Sequence, residues 1–140
     1  MVRRGTEADV GAVCALESAI FSDAWRESDV RGHLTAPHLY LFVYEEAGEI
    51  LGYLLGSVIP PEGELYRVAV APSARGRGIG EALCRAFLAC SEVCFLEVRR
   101  SNDAARRLYE RLGFVLTGER KGYYRDPKED ACLYRKEENQ

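Results

Sequence analysis

The residues best placed to do chemistry are Arg75-Gly76-Arg77-Gly78-Ile79-Gly80, set between the apolar run Tyr66-Arg67-Val68-Ala69-Val70 and a segment of helical periodicity. Glycine lets the backbone turn its N–H groups inward and approach a ligand closely, and a helix starting there adds the positive end of its dipole. That combination binds phosphate, and two interleaved arginines suit a diphosphate better than a single carboxylate. The competing reading is a glycine-rich turn that holds no ligand. No Gly-Lys-Ser or Gly-Lys-Thr follows, which excludes a P-loop, and the spacing of Gly76, Gly78 and Gly80 does not match the dinucleotide fingerprint G-x-G-x-x-G.

Three further groups stand out. Glu97 follows the apolar run Val93-Cys94-Phe95-Leu96, and a carboxylate near the end of a buried strand is either a structural ion pair or a site residue. Tyr109 falls on an apolar helical face, where a tyrosine by itself reads as core, and Tyr123-Tyr124 read as turn aromatics or as the wall of a peptide site. The five cysteines, Cys14, Cys84, Cys90, Cys94 and Cys132, contain no C-x-x-C pair and sit mostly among apolar neighbours, the pattern of reduced core thiols in a reducing compartment. His33 and His38 lack ligand spacing and read as surface or loop residues, so no metal is expected.

The elements that must position these groups follow from periodicity. Met1 to Arg4 reads as a short edge strand. Thr6 with Asp9 has the spacing of a capping box, and Val10, Val13, Cys14, Ile20 and Phe21 form one buried helical face, with Glu7, Asp9, Glu17 and Ser18 on the rest. A second helix spans Arg26 to Leu34 and ends before Pro37. Strands at Leu39 to Glu45 and Glu49 to Ile59 flank the turn Glu46-Ala47-Gly48, and Pro60-Pro61-Glu62-Gly63 precedes a strand at Glu64 to Ala71. Ile79, Leu83, Ala86, Phe87 and Cys90 mark a helix behind the glycine loop. The nearly continuous apolar run Val93 to Val98 predicts an interior strand. Ser101-Asn102-Asp103 cap a helix with Ala105, Leu108, Tyr109 and Leu112 on one face, stopping at Gly113. Phe114 to Arg120 and Ala131 to Lys136 close the chain as strands, joined through residues 121–127. The order β-α-α-β-β-β-α-β-α-β-β predicts an α/β (α+β) fold with a mixed, mostly antiparallel sheet flanked by helices, in one domain over residues 1–140.

With 140 residues, 47% apolar and 29% charged, the chain suits one compact domain. Its net charge of -3 gives no general field for nucleic acid. The longest apolar stretches fall short of the roughly 20 residues that span a bilayer, and Met1 to Glu7 carry no export pattern, so neither membrane nor secretion is expected.

The spacing Arg75-x-x-Gly78-x-Gly80 behind Val68-Ala69-Val70 resembles the pyrophosphate loop of the GCN5-related N-acetyltransferases (GNAT). Residues 96–105 and 108–114 look like that superfamily's second signature, and the resemblance spans nearly the whole chain. Within it, Leu96-Glu97-Val98-Arg99 and Tyr123-Tyr124 are most similar to the bacterial enzymes that acetylate the terminal alanine of a ribosomal small-subunit protein. In those, proline directly follows the paired tyrosines; here Arg125-Asp126 intervene before Pro127. The resemblance implies acetyl coenzyme A as acetyl donor. Val68, Ala69 and Val70 lie along its pantetheine arm, and Gly76, Arg77, Gly78, Ile79, Gly80 and Glu81 wrap the pyrophosphate with Arg75 at the mouth. Asn102 reaches in from the second signature. Glu97 is implied as general base and Tyr109 as general acid, with Tyr123 and Tyr124 beside the acceptor.

The chemistry agrees with those roles. Attack on a thioester needs a neutral amine, and an α-amine of pKa near 8 is about one-tenth neutral at pH 7, against about one in 2,500 for lysine. The α-amine is thus the easier nucleophile, and the resemblance implies as acceptor a protein amino terminus, that of a ribosomal small-subunit protein; the expectation is a cytoplasmic monomer or weak dimer that engages no nucleic acid. A small amine or a lysine side chain is the alternative acceptor, and a non-catalytic acyl coenzyme A sensor is the alternative of another class.

Overall fold

The computed structural model describes residues 1–137, and the last three positions of the expected domain, 138–140, lie outside the described residues. The strands are β1 (Val2–Arg4), β2 (Leu39–Glu46), β3 (Glu49–Ile59), β4 (Glu62–Val70), β5 (Val93–Arg99), β6 (Val115–Tyr124) and β7 (Glu129–Glu137). The helices are α1 (Val10–Ile20), α2 (Glu27–Thr35), α3 (Ile79–Leu88) and α4 (Asp103–Arg111), with single 3₁₀ turns at Glu7–Asp9 and Pro72–Ala74. The order matches the one read from the sequence.

All seven strands form one sheet in the order β1-β2-β3-β4-β5-β7-β6, antiparallel throughout except for the parallel pair β4 and β5. Its first half is covered on both faces. Val10, Val13 and Val30 of α1 and α2 pack on Leu41, Val43, Tyr53 and Leu55, whereas Ile79, Leu83 and Phe87 of α3 pack on Phe42, Leu54 and Leu65 across the sheet. The helix α3 sits close because β3 carries Gly56 beneath it, where a Cβ would meet Phe87 Cζ at 2.6 Å and the Glu64 carbonyl oxygen at 2.8 Å.

The second half of the sheet differs. β5 lies inside the sheet, but its burial alternates: Cys94, Leu96 and Val98 face the core while Phe95 is 36% exposed on a face that no helix covers. Its apolar run therefore reflects one covered face and one open face, not two covered faces.

Two strand irregularities make the site. In the β3–β4 pair Leu55 faces Arg67 and Gly56 faces Leu65, leaving Tyr66 as the extra residue of a bulge. A bulge bends its strand and sharpens the local twist. The β4–β5 pairs run from Glu62↔Val93 to Leu65↔Leu96 and end there, although β4 continues to Val70 and β5 to Arg99. Beyond Leu65 and Leu96 the strands part and leave a wedge-shaped opening whose β4 wall presents unpaired backbone groups.

Three side chains assigned to solvent lie inside. Glu17 is fully buried because Tyr53 and Arg67, from β3 and β4, supply donors that helical periodicity cannot reveal. His33, read as a surface residue, is also buried, packed between Trp25 and Tyr66. Asp9 is buried too: it accepts the Thr6 backbone N–H at 2.8 Å, as the capping box predicts, and a two-pronged contact from Arg3. The segment holding Tyr123 and Tyr124, expected to be a connection, extends strand β6.

Candidate functional site

A cleft of about 780 Å³ occupies the opening between β4 and β5 and runs to the start of α3. Val68, Ala69, Val70, Arg75, Gly76, Gly78, Ile79, Gly80, Glu81 and Asn102 all line it. At the α3 end, Gly76 and Gly78 have φ of 81° and 79°, and a Cβ on either would meet nothing within 4 Å. Conformation, not crowding, therefore demands glycine at both, and the space beside the loop is open. The first N–H to bond inside α3 is that of Ala82, to Gly78 O at 3.0 Å. The preceding amides of Ile79, Gly80 and Glu81 are the unbonded first-turn donors of a helix, the arrangement that takes an anion.

The two loop arginines separate. Arg75 folds its Nε back to Val70 O at 3.2 Å and lines the cleft. Arg77 is absent from the lining: its guanidinium holds both oxygens of Glu46, at 2.6 and 2.9 Å, at the end of the β2–β3 hairpin. Both partners are about half exposed, so the pair is a weak surface contact that a ligand can reorganise. Asn102 caps α4 by accepting the Ala105 N–H at 3.2 Å, which fixes the second signature to the cleft wall.

Glu97 stands one residue beyond the last β4–β5 pair, with its carboxylate 3.7 Å from Arg120 Nε; neither it nor Tyr109, Tyr123 or Tyr124 is among the residues that line the cleft. A hydrogen bond to Glu97 raises the Tyr123 hydroxyl above the usual phenol range. Tyr124, whose ring stands 5.1 Å from that of Tyr123 and nearly perpendicular to it, is pushed up to about 12, first by burial and then by Glu97. Tyr109 approaches from the α4 side, packed against Phe114 and Tyr134, and burial raises its hydroxyl far enough to keep it protonated at any physiological pH. Burial and the nearby Glu97 charge also raise Glu64, on the β4 side.

Sequence reading missed the supports of this end. Glu17 accepts the Tyr53 hydroxyl at 2.6 Å, Arg67 Nη1 at 2.6 Å and the Trp25 backbone N–H at 2.8 Å. Arg67 also reaches Asp23 at 3.2 Å and lies over the Phe21 ring at 3.8 Å. The segment between α1 and α2 is thereby tied to β4 at the bulge. Opposite it, Arg99 donates to Pro127 O at 2.8 Å and stacks 4.4 Å over the Tyr124 ring, fixing the β6–β7 turn. Arg67 and Arg99 stand within the quoted strands, where a charge in an apolar run is a detectable signal; Glu17 carried none. Among the described residues no group of three or more His, Cys, Asp or Glu side chains is placed to hold a metal ion, and no helix is long and apolar enough to cross a membrane.

The comparisons with known proteins agree with this geometry. The profile of the "Acetyltransferase (GNAT) family" matches residues 10–114. The chain is 36% identical over 140 residues to the N-alpha-acetyltransferase RimI of Mycobacterium tuberculosis, covering 94% of this chain and 89% of that one. It is 32% identical over 134 residues to the putative [ribosomal protein bS18]-alanine N-acetyltransferase of Bacillus subtilis, covering 89% and 87%. The crystal structure of the ribosomal-protein-S18-alanine N-acetyltransferase from Escherichia coli superposes with a TM-score of 0.87 at 27% identity, covering 96% of this chain and 91% of that one.

Proposed function

The chain belongs to the GNAT acetyltransferase family and is an acetyl coenzyme A-dependent N-acetyltransferase, and from that premise we propose that it acetylates the α-amine of protein amino termini, foremost the terminal alanine of ribosomal protein bS18. The observation that carries this reading is the parting of β4 and β5 after Leu65 and Leu96, with backbone donors at the α3 end of the opening and Glu97 one residue past the last pair. The relatives named for bS18 are alanine N-acetyltransferases, and an α-amine beside a single methyl group suits a narrow gap between two strands.

The residues present fit the donor. The amides of residues 76–81 suit its pyrophosphate, and the edge of β4 that β5 leaves unpaired beyond Leu65, along Val68, Ala69 and Val70, suits the amides of its pantetheine arm. When bound, it supplies the activated acetyl thioester. Glu97 takes a proton from the acceptor amine, directly or through one water, with Arg120 Nε 3.7 Å from its carboxylate. Tyr109, held protonated by burial, donates to the departing thiolate. Tyr123 and Tyr124 wall the acceptor backbone. No enzyme-bound acyl group is needed. The five free cysteines support a cytoplasmic protein, and the proposed working form is a monomer or weak dimer of one domain.

The test is mass spectrometry of acetyl transfer to a peptide beginning with alanine and to the same peptide blocked at its amine and carrying an internal lysine. The alanine peptide is expected to have the higher kcat/KM. Preference for the lysine peptide, or for a polyamine over both, refutes this acceptor.

A further inference from the structure

Coenzyme A carries a phosphate besides its pyrophosphate, on the 3′-hydroxyl of the ribose, and neither the glycine loop nor the β4 edge provides for it. One lining residue of the cleft between β4 and β5 has no part so far: Arg111, the last residue of α4. Ala104, Ala105, Leu108 and Arg111 line the cleft together, at the three-to-four spacing of one helical face, so α4 turns a single side to the opening along most of its length.

The other charges on the cleft wall are already engaged. Asp23 meets Arg67 at 3.2 Å and Arg99 at 4.0 Å, and Glu81 meets Arg85 at 3.3 Å. Glu129 accepts from Arg99 at 3.4 Å and from the Ser101 N–H at 2.7 Å. Arg99 also donates to Pro127 O, and Arg75 is held at the β4 end by its Nε bond to Val70 O. Arg111 is exposed, with no hydrogen-bond or ion-pair partner among the described residues, so its guanidinium donors are open to a ligand. A cation in the last turn of a helix also complements the helix dipole. Arg107, exposed on the same helix but outside the cleft wall, is the matching residue that lacks the placement.

The place of Arg111 along α4 selects the phosphate. The helix begins just past β5, the strand of Glu97, with Asn102 as its cap. Its middle passes the glycine loop, where a Cβ on Gly80 would lie 3.4 Å from Leu108 Cδ2 and 3.6 Å from Val70 Cγ2. Arg111 comes three residues later, about 4.5 Å further along the axis. The donor has the same order: thioester and pantetheine, then pyrophosphate, then the ribose with its 3′-phosphate. We propose that the Arg111 guanidinium binds the 3′-phosphate of coenzyme A and lets the enzyme tell coenzyme A from its 3′-dephospho form. This contact rests on the assignment of the cleft to coenzyme A and not on the choice of acceptor. A phosphate monoester carries up to about two negative charges at neutral pH, and a guanidinium meets it with two parallel N–H bonds.

The test is isothermal titration of the protein with coenzyme A, 3′-dephospho-coenzyme A and adenosine 3′,5′-bisphosphate, none of which requires turnover. Wild type is expected to bind coenzyme A about 10-fold or more tightly than the dephospho form, the worth of a charged hydrogen-bonded pair. Arg111→Ala should remove most of that ratio by weakening coenzyme A alone, and should weaken the bisphosphate by a similar factor. Arg111→Lys should keep only part of it, because an ammonium lacks the planar fork. Arg107→Ala should leave the ratio at its wild-type value. Arg111 is exposed, so its variants should melt near the wild-type Tm, which separates a lost contact from a lost fold. Equal affinity of wild type for coenzyme A and its dephospho form overturns the proposal, as does a ratio that survives Arg111→Ala. Equal weakening of both ligands in Arg111→Ala overturns it too and moves Arg111 to the pyrophosphate. Binding of neither ligand by wild type overturns this contact together with the donor site, whereas failure of the alanine-peptide assay leaves these titrations decisive.

Discussion

In the proposed function, backbone amides of residues 76–81 at the α3 end of the opening between β4 and β5 hold the donor, whereas side chains meet the acceptor: Glu97 from β5, Tyr123 and Tyr124 from β6, and Arg67 from β4. The first end is built from consecutive residues, and its shape follows from two glycines at positive φ and one helix start. The second converges from three separate strands and is held by Glu17, which lies in none of the motifs. A donor common to a whole family can be held by backbone alone, because every chain has the same backbone. An acceptor that differs from enzyme to enzyme has to be read by side chains and by the loops that carry them.

That contrast breaks most sharply in a crossed pair of variants. Glu97→Gln and Tyr109→Phe should each lower turnover by about 100 to 10,000-fold, the usual range for general acid-base catalysis, with coenzyme A affinity nearly unchanged. Gly78→Glu should do the reverse, abolishing the rise in Tm on adding coenzyme A, because a side chain at φ 79° is strained and its charge opposes phosphate. If Glu97→Gln also lost coenzyme A binding, or if Gly78→Glu kept it, the two ends would not be separable.

A smaller effect sharpens the description of the acceptor end. Glu17→Ala removes a buried carboxylate from three donors and leaves Arg67, 14% exposed, short of its main partner. Urea denaturation should show a loss of about 3 to 5 kcal/mol, the range for breaking a buried ion pair. In the protein that remains folded, KM for the acceptor should rise more than KM for acetyl coenzyme A. Equal rises would mean that Glu17 supports both ends alike.

The smallest expected effect is a pH slope confined to the acceptor side. Burial depresses the folded-state pKa of His33, against the raising influence of its hydrogen bond to Asp29 O and of the Asp29 charge, below the ordinary 6.5. The unfolded chain then binds the proton more readily, so this contribution to stability is present above about pH 6.5 and is lost as pH falls below it. Denaturation midpoints measured from pH 7.5 to 5 should fall, and His33→Gln should flatten the decline. A decline of unchanged steepness in the variant would assign it to other groups.

The glycine loop, the element order and the capping box were legible in the sequence because each rests on neighbours along the chain. Glycine conformations, helical and strand periods and the Thr6–Asp9 pair are local physics. The resemblance of the two motifs added the family, and with it the roles of Glu97, Tyr109 and Asn102, which no periodicity carries. Other features depended on residues far apart in the chain. Glu17 read as a solvent-facing helical residue until Arg67, 50 positions on, supplied its charge partner, and His33 read as a surface histidine until Trp25 and Tyr66 closed over it. Arg77, one residue from the glycines that frame the loop, is drawn off to Glu46, 31 positions back. Burial and pairing of a charge depend on which distant groups the topology brings within about 3 Å, and one strand parting from its neighbour after Leu65 decides that for the whole acceptor end.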